Sequence, residues 1–128
     1  MRDNENFTLI DILRHGQCQG GEIYRGSTDV SLTDLGWQQM RNAVASHSGW
    51  DAVVSSPLTR CKLFAQEHAA ENKIPIAIEH DFREIHFGEW EGQLVSDVWK
   101  TIKSSLCSIT LNQVVLLQLM VSIFRLFK

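Results

Sequence analysis

Spacing of apolar and polar positions divides the first hundred residues into alternating strand-like and helix-like stretches. Phe7–Leu13 (FTLIDIL) is rich in β-formers and stops at a charged turn, as a buried strand does. A glycine-punctuated loop runs from Gly16 to Ser31. Ser31 or Thr33 can cap a helix reaching Ser46, with Leu35, Met40, Ala43 and Val44 on its apolar side. Ala52–Ser55 is a short second strand halted by Pro57, and Leu58–Asn72 is a helix offering Leu63, Phe64 and Ala69 to a core. Ile74–Ile78 is a third strand, and Leu94–Lys103 starts another helix. Strands separated by helices predict an α/β fold, a three-layer αβα arrangement around a mainly parallel sheet. Ligands of such sheets sit beyond the carboxyl ends of the strands. Arg14-His15-Gly16 follows the first strand and Ser56-Pro57-Leu58-Thr59-Arg60 the second, so both motifs fall on one rim.

The last stretch follows another pattern. Leu106–Phe127 is apolar, with Asn112, Gln113, Gln118, Ser122 and Arg125 interspersed. Gln118, Ser122 and Arg125 recur at helical spacing, which suggests an amphipathic helix. A membrane span needs roughly 20 nearly unbroken apolar residues, and this stretch is interrupted too often for one. Composition sharpens the boundary: all fifteen acidic residues lie at or before Asp97, all eight glycines at or before Gly92 and both prolines at or before Pro75. The chain therefore reads as two parts, a globular 1–103 and an atypical apolar tail 104–128.

The remaining bulk properties mainly exclude. A net charge of −3 over 128 residues argues against nucleic acid as a partner, because a phosphate backbone calls for a basic surface. Met1–Glu5 is polar and mixed in charge, unlike a signal peptide. Cys18, Cys61 and Cys107 form neither a paired framework nor a CxxC motif, which fits a reducing cytoplasm.

Chemistry concentrates at the rim. A histidine at a strand end can attack phosphorus as a neutral imidazole, splitting one displacement into two through a phosphohistidine. Arg14 beside it offers a planar fork that matches phosphate oxygens, and Gly16 lets the backbone pass close to a ligand. Arg60 lies at the start of a helix, where N–H groups and the dipole favour an anion. Glu84 lies in the aromatic-rich segment 82–92. There it could protonate a leaving alkoxide and then deprotonate water; Glu89 and Glu91 compete for the role.

Together these segments resemble the histidine phosphatase (phosphoglycerate mutase-like) superfamily, on its phosphatase branch. LRHGQC at 13–18, YRGSTDVSLTDLG at 24–36, SSPLTRC at 55–61 and FREIHFGEWEG at 82–92 carry the resemblance, in the family's order and spacing. It implies a phosphoglycerate mutase-like fold and a phosphomonoesterase acting on a small-molecule phosphate ester, with no metal and no organic cofactor. It implies that His15 is phosphorylated, that Arg14 and Arg60 bind phosphate, and that Glu84 is the proton donor. Gln17 and the segment from Gly21 to Thr28 would line the entrance. The short loop and REIHFGEWEG are most similar to bacterial alpha-ribazole phosphatases, which remove the 5′-phosphate of alpha-ribazole phosphate in cobalamin biosynthesis.

One departure bears on activity. The superfamily uses a second histidine, usually followed by glycines, at the end of a late strand, and residues 93–128 contain neither histidine nor glycine. Of the other histidines, His47 and His68 belong to helix positions suited to the surface, while His86 could border the pocket. The expectation is a truncated domain, incomplete at its C terminus, with a tail read out of frame and impaired or absent activity. A shorter reading, a non-catalytic phosphate-binding or interaction protein, needs only Arg14, His15 and Arg60. A cysteine phosphatase is excluded, because the position six after Cys18 is Tyr24 and not arginine. A metal hydrolase built on His80, Glu84 and His86 has the wrong spacing for a zinc pair, and the short loop disfavours a mutase.

Overall fold

The computed structural model describes residues 8–105 and 123–127. Strand β1 (Ile10–Arg14) leads through the glycine loop into helix α1 (Asp34–Ala45), then strand β2 (Ala52–Ser55), helix α2 (Thr59–Asn72) and strand β3 (Ile76–Ile78). Two short 3₁₀ turns, His80–Phe82 and Gly88–Trp90, precede helix α3 (Val95–Ser105), and strand β4 (Ile123–Phe127) comes last. Thr33 caps α1 as its spacing predicts, its hydroxyl accepting from the Gly36 N–H. Lys73 ends α2 in the left-handed conformation, with its N–H turned back to the Ala69 and Ala70 carbonyls.

The sheet runs β1-β4-β2-β3. β2 and β3 are parallel, Val53 opposite Ile76. β4 is antiparallel to both of its neighbours, Ile12 facing Arg125 on one side and Val54 facing it on the other. Three strands thus point the same way and deliver their carboxyl ends to one rim, as an α/β sheet requires. The described end of the tail is this strand and not the helix that Gln118, Ser122 and Arg125 suggested; the rest of that stretch lies outside the described residues. A strand wins there because β4 lies between two strands, pairing with β1 along its whole length and with β2 over Arg125–Phe127.

β1-α1-β2 and β2-α2-β3 progress in one direction across the sheet, so right-handed crossovers put α1 and α2 on the same face. They share one core: Met40, Trp50, Val53, Phe64, Ala65 and Ala69 are buried together with Cys18 and Leu32. The Trp37 and Phe64 rings lie 5.7 Å apart across the helix pair. On α1 the inward residues are Gly36 and Met40, with Trp37 and Val44 half-buried against the core. Leu35 and Ala43, expected on that side, face solvent, as does Leu63 on α2. The phase of α1 is set by the close approach of Gly36 to the loop after β1, and that turns Leu35 outward. On the opposite face of the sheet Ile10 and Ile12 remain exposed, Ile12 by 62%.

His68 corrects another expectation. It is buried, stacked on Phe64 with ring centroids 6.0 Å apart and edge-on to Trp50 at 5.5 Å. Trp50 in turn donates its indole N–H to Asp11 at 2.7 Å, which ties the stretch before β2 to β1.

Candidate active site

Arg14 and His15 leave the carboxyl end of β1, and the chain is then pressed against the first turn of α1. A side-chain carbon on Gly16 would lie 2.2 Å from the Gly36 carbonyl oxygen, and one on Gly36 would lie 2.0 Å from the Gln17 carbonyl oxygen. Gly16 is therefore needed for contact between backbones, where the sequence suggested room for a ligand. Gln17, expected at the entrance, is exposed and anchored: its N–H donates to Gln39 Oε1 at 2.9 Å and its side-chain oxygen accepts from Thr33 Oγ1 at 2.9 Å. Gly21, expected beside it, is exposed at φ +72°, in the left-handed region glycine favours.

His15 Nδ1 lies 2.9 Å from the Gly16 carbonyl. A carbonyl only accepts, so Nδ1 carries the proton and Nε2 keeps its lone pair. Burial holds the imidazole below its ordinary proton affinity. The Gly16 carbonyl opposes this, and the positive charges of Arg60, Arg14 and Arg25 reinforce it. The ring is thus kept neutral with Nε2 as its nucleophilic atom. Cys18, buried beneath, brings Sγ to 3.4 Å from the same Nδ1. Burial raises the thiol's pKa, the arginines opposing, so the sulfur is a poor competitor as nucleophile.

Arg60 is 1% exposed and its fork is engaged with the loop before α1, Nη1 donating to the Thr28 carbonyl at 2.9 Å and Nη2 to the Gly26 carbonyl at 2.8 Å. The amino end of α2 holds an anion, as its dipole favours, and that anion is the chain's own Asp29. Its carboxylate accepts from the Thr59 N–H at 2.7 Å and the Thr59 hydroxyl at 2.8 Å. Positive charge for an external ligand must therefore come from guanidinium groups and not from this helix end.

The three candidate carboxylates separate clearly. Glu91 is consumed by structure, accepting from the Thr28 N–H at 2.7 Å, the Thr28 hydroxyl and the Phe87 N–H at 2.8 Å. Burial pushes its pKa up, but those hydrogen bonds outweigh it and keep Glu91 ionised below the usual range. Glu89 is exposed. Glu84 is half-buried, one oxygen accepting from the Ile85 N–H at 3.2 Å. Arg83 turns to the Ser27 carbonyl at 3.3 Å instead of a glutamate. His86 is exposed, with Nδ1 accepting from the Gly88 N–H. No group of metal-ligating side chains gathers among the described residues, around His80, Glu84 and His86 or elsewhere.

The loop from Gly20 to Thr28 and the segment 84–95 zip together over this rim. Tyr24 exchanges backbone bonds with Gly92 and Gln93 and packs its ring on Phe87 and Trp90, at 5.4 and 5.7 Å. Gly26 lies so close to the second segment that a side-chain carbon would meet the Ile85 carbonyl oxygen at 1.9 Å. Arg25, Gly26, Thr28 and Asp29 were not singled out individually by sequence reasoning. Asp29 and Gly26 carry a legible signal, a helix-capping acid and a glycine within a motif, but their partners are distant in sequence.

Among the described residues no helix is long and apolar enough to cross a membrane. Comparison with known proteins adds a lineage to this geometry. The family description Histidine phosphatase superfamily (branch 1) matches residues 10–108. A bifunctional protein of Mycobacterium tuberculosis is 37% identical over 90 residues, 66% of this chain and 25% of that protein. The adenosylcobalamin/alpha-ribazole phosphatase of Escherichia coli is 30% identical over 84 residues, covering 62% of this chain and 41% of that one. A glucosyl-3-phosphoglycerate phosphatase of Mycolicibacterium vanbaalenii is 34% identical over 85 residues, with 63% and 38% covered. In structure, the alpha-ribazole phosphatase of Shigella flexneri superposes with a TM-score of 0.61 at 26% identity, over 73% of this chain and 48% of that one. The chain spans between a quarter and about half the length of these relatives. With the matched region taking in both arginine motifs and the strand-helix framework that presents them, the chain belongs to the histidine phosphatase superfamily, branch 1.

Proposed function

We propose that residues 1–103 form the N-terminal part of a histidine phosphatase domain that accepts a phosphoryl group from a small-molecule phosphate ester onto His15 Nε2. The observation that carries this reading is the state of His15: neutral, its Nδ1 proton committed to Gly16, and subject to the charges of Arg14, Arg25 and Arg60. Nε2 attacks phosphorus as the ester oxygen departs, and Glu84 gives that oxygen its proton. Glu84 then takes a proton from water, the water oxygen attacks phosphorus, the P–N bond breaks and orthophosphate leaves. Arg14 and Arg60 bind the phosphoryl oxygens, with Gln17 and Gly21 at the entrance. An alpha-ribazole 5′-phosphate substrate is supported by the similarity to alpha-ribazole phosphatases. The equally similar glucosyl-3-phosphoglycerate phosphatase makes this the finer part of the proposal.

The test is acid-labile, base-stable phosphate on His15 after rapid quenching with a generic aryl phosphate. Labelling that vanishes in His15→Ala is the expected result, and an unlabelled chain that still binds phosphate overturns transfer. A non-catalytic phosphate-binding module is the second reading. It is favoured by the contacts of other histidines among the described residues, which lie away from His15: His47 and His68 pack about Trp50, and His86 accepts from the Gly88 N–H.

A further inference from the structure

Arg25 is set apart from the other loop residues by how its side chain is held. Its Nη2 donates to the Gln19 carbonyl at 3.2 Å and to the Gly21 carbonyl. Gln19 directly follows Cys18, whose sulfur touches His15, so the guanidinium is fastened one residue from the nucleophile's own contact. Gly26, the next residue along, has its carbonyl held by Arg60 Nη2. The loop at Arg25 and Gly26 thus carries one guanidinium of its own and has its next carbonyl held by a second. Arg25 makes no ion pair among the described residues, and its Nε is enclosed by protein with no hydrogen-bond partner. An enclosed donor without an acceptor is unfavourable, and an anion that enters beside it relieves the cost.

We propose that Arg25 is a third phosphate-binding guanidinium of this site, closing on the phosphoryl group from the loop between Gly20 and Thr28. The proposal rests on the reading of His15 as the centre of a phosphate pocket. Charge in the transition state of phosphoryl transfer spreads over three equatorial oxygens, so a third cation adds to two. Arg60, with both Nη atoms on loop carbonyls, has part of its donor set already committed. Arg25 has Nη2 tied to the Gln19 and Gly21 carbonyls, and no hydrogen bond from its Nη1 is seen among the described residues, which orients the fork without exhausting it.

Calorimetric titration of the 128-residue chain with inorganic phosphate tests this, alongside NMR titration of the His15 ring. Arg25→Gln keeps an amide donor for the Gln19 and Gly21 carbonyls while removing the charge. It should bind phosphate about tenfold or more weakly, with Arg25→Lys intermediate. The His15 ring should also titrate at higher pH in Arg25→Gln. Affinity within about twofold of the parent chain in Arg25→Gln would show that Arg25 only ties its loop, and the proposal falls. Arg25-dependent phosphate binding without any phosphohistidine leaves this inference standing and sinks only the transfer reaction. A parent chain that binds no phosphate overturns both.

Discussion

His15 and His68 are both held below their ordinary proton affinity, chiefly by burial, yet only His15 has arginine charges adding to the effect. His68 is a core residue: its ring lies on Phe64 and against Trp50, and its Nε2 is enclosed without a partner. The unfolded chain takes up these protons near the ordinary value of 6.5 and the folded chain resists, so stability is retained above that pH. It declines as pH falls below 6.5 toward the folded values. His68→Phe preserves the ring stacking and removes one of the two linked protons. Its thermal midpoint should fall less than the parent's between pH 7.5 and pH 5.5, measured by circular dichroism, and an unchanged slope would contradict the assignment. In the sequence His68 looked like a surface residue; it stacks on Phe64 one turn earlier, and what closes over its edge is Trp50, a residue from the stretch before β2. No periodicity within α2 announces that contact.

At the level of elements, the local signals were strong where a cap, a proline or a run of β-formers marked an end. Thr33 capping α1, Ala52–Ser55 as β2 and the end of α2 at Asn72 all match their expected places. β3 is shorter than expected, beginning at Ile76, and the two 3₁₀ turns were not foreseen. The cause in each case is tertiary: β3 pairs only where β2 offers a partner, and the Gly88–Trp90 turn is held by Glu91 reaching back to Thr28 and Phe87. The four sequence motifs marked the segments that meet at the rim, but the locking of one against another, through Asp29, Arg60 and Glu91, joins residues far apart in sequence. Gly26→Ala tests that locking. The added carbon meets the Ile85 carbonyl, so the loops must separate, at a cost of roughly 1–3 kcal/mol in denaturant-induced unfolding. Phosphate affinity should weaken in the same variant. Full stability with the alanine would mean that the loops do not touch in solution. Glu91→Gln should destabilise the same pair of loops at neutral pH, where the carboxylate accepts from Thr28 and Phe87, and the difference should narrow as acid protonates the parent's Glu91.

Across the whole molecule, the described helices with a shared core lie on one side of the sheet, and three arginines converge electrostatically on one histidine at its rim. Phosphoryl transfer depends on positioned charge more than on covalent chemistry, and a missing donor of this kind costs on the order of 10²–10³ in rate. The 128-residue chain should therefore hydrolyse an aryl phosphate slowly. Stopped-flow release of the aryl alcohol should show a slow approach to steady state, and a rapid burst would refute this expectation.

The direction of β4 bears on the same deficit. Its neighbours β1 and β2 end at the rim, whereas β4 begins there, with Ile123 opposite Arg14. The rim therefore receives the entry of its central strand between the exits of the strands on either side, so leading backbone N–H groups stand there between trailing carbonyls.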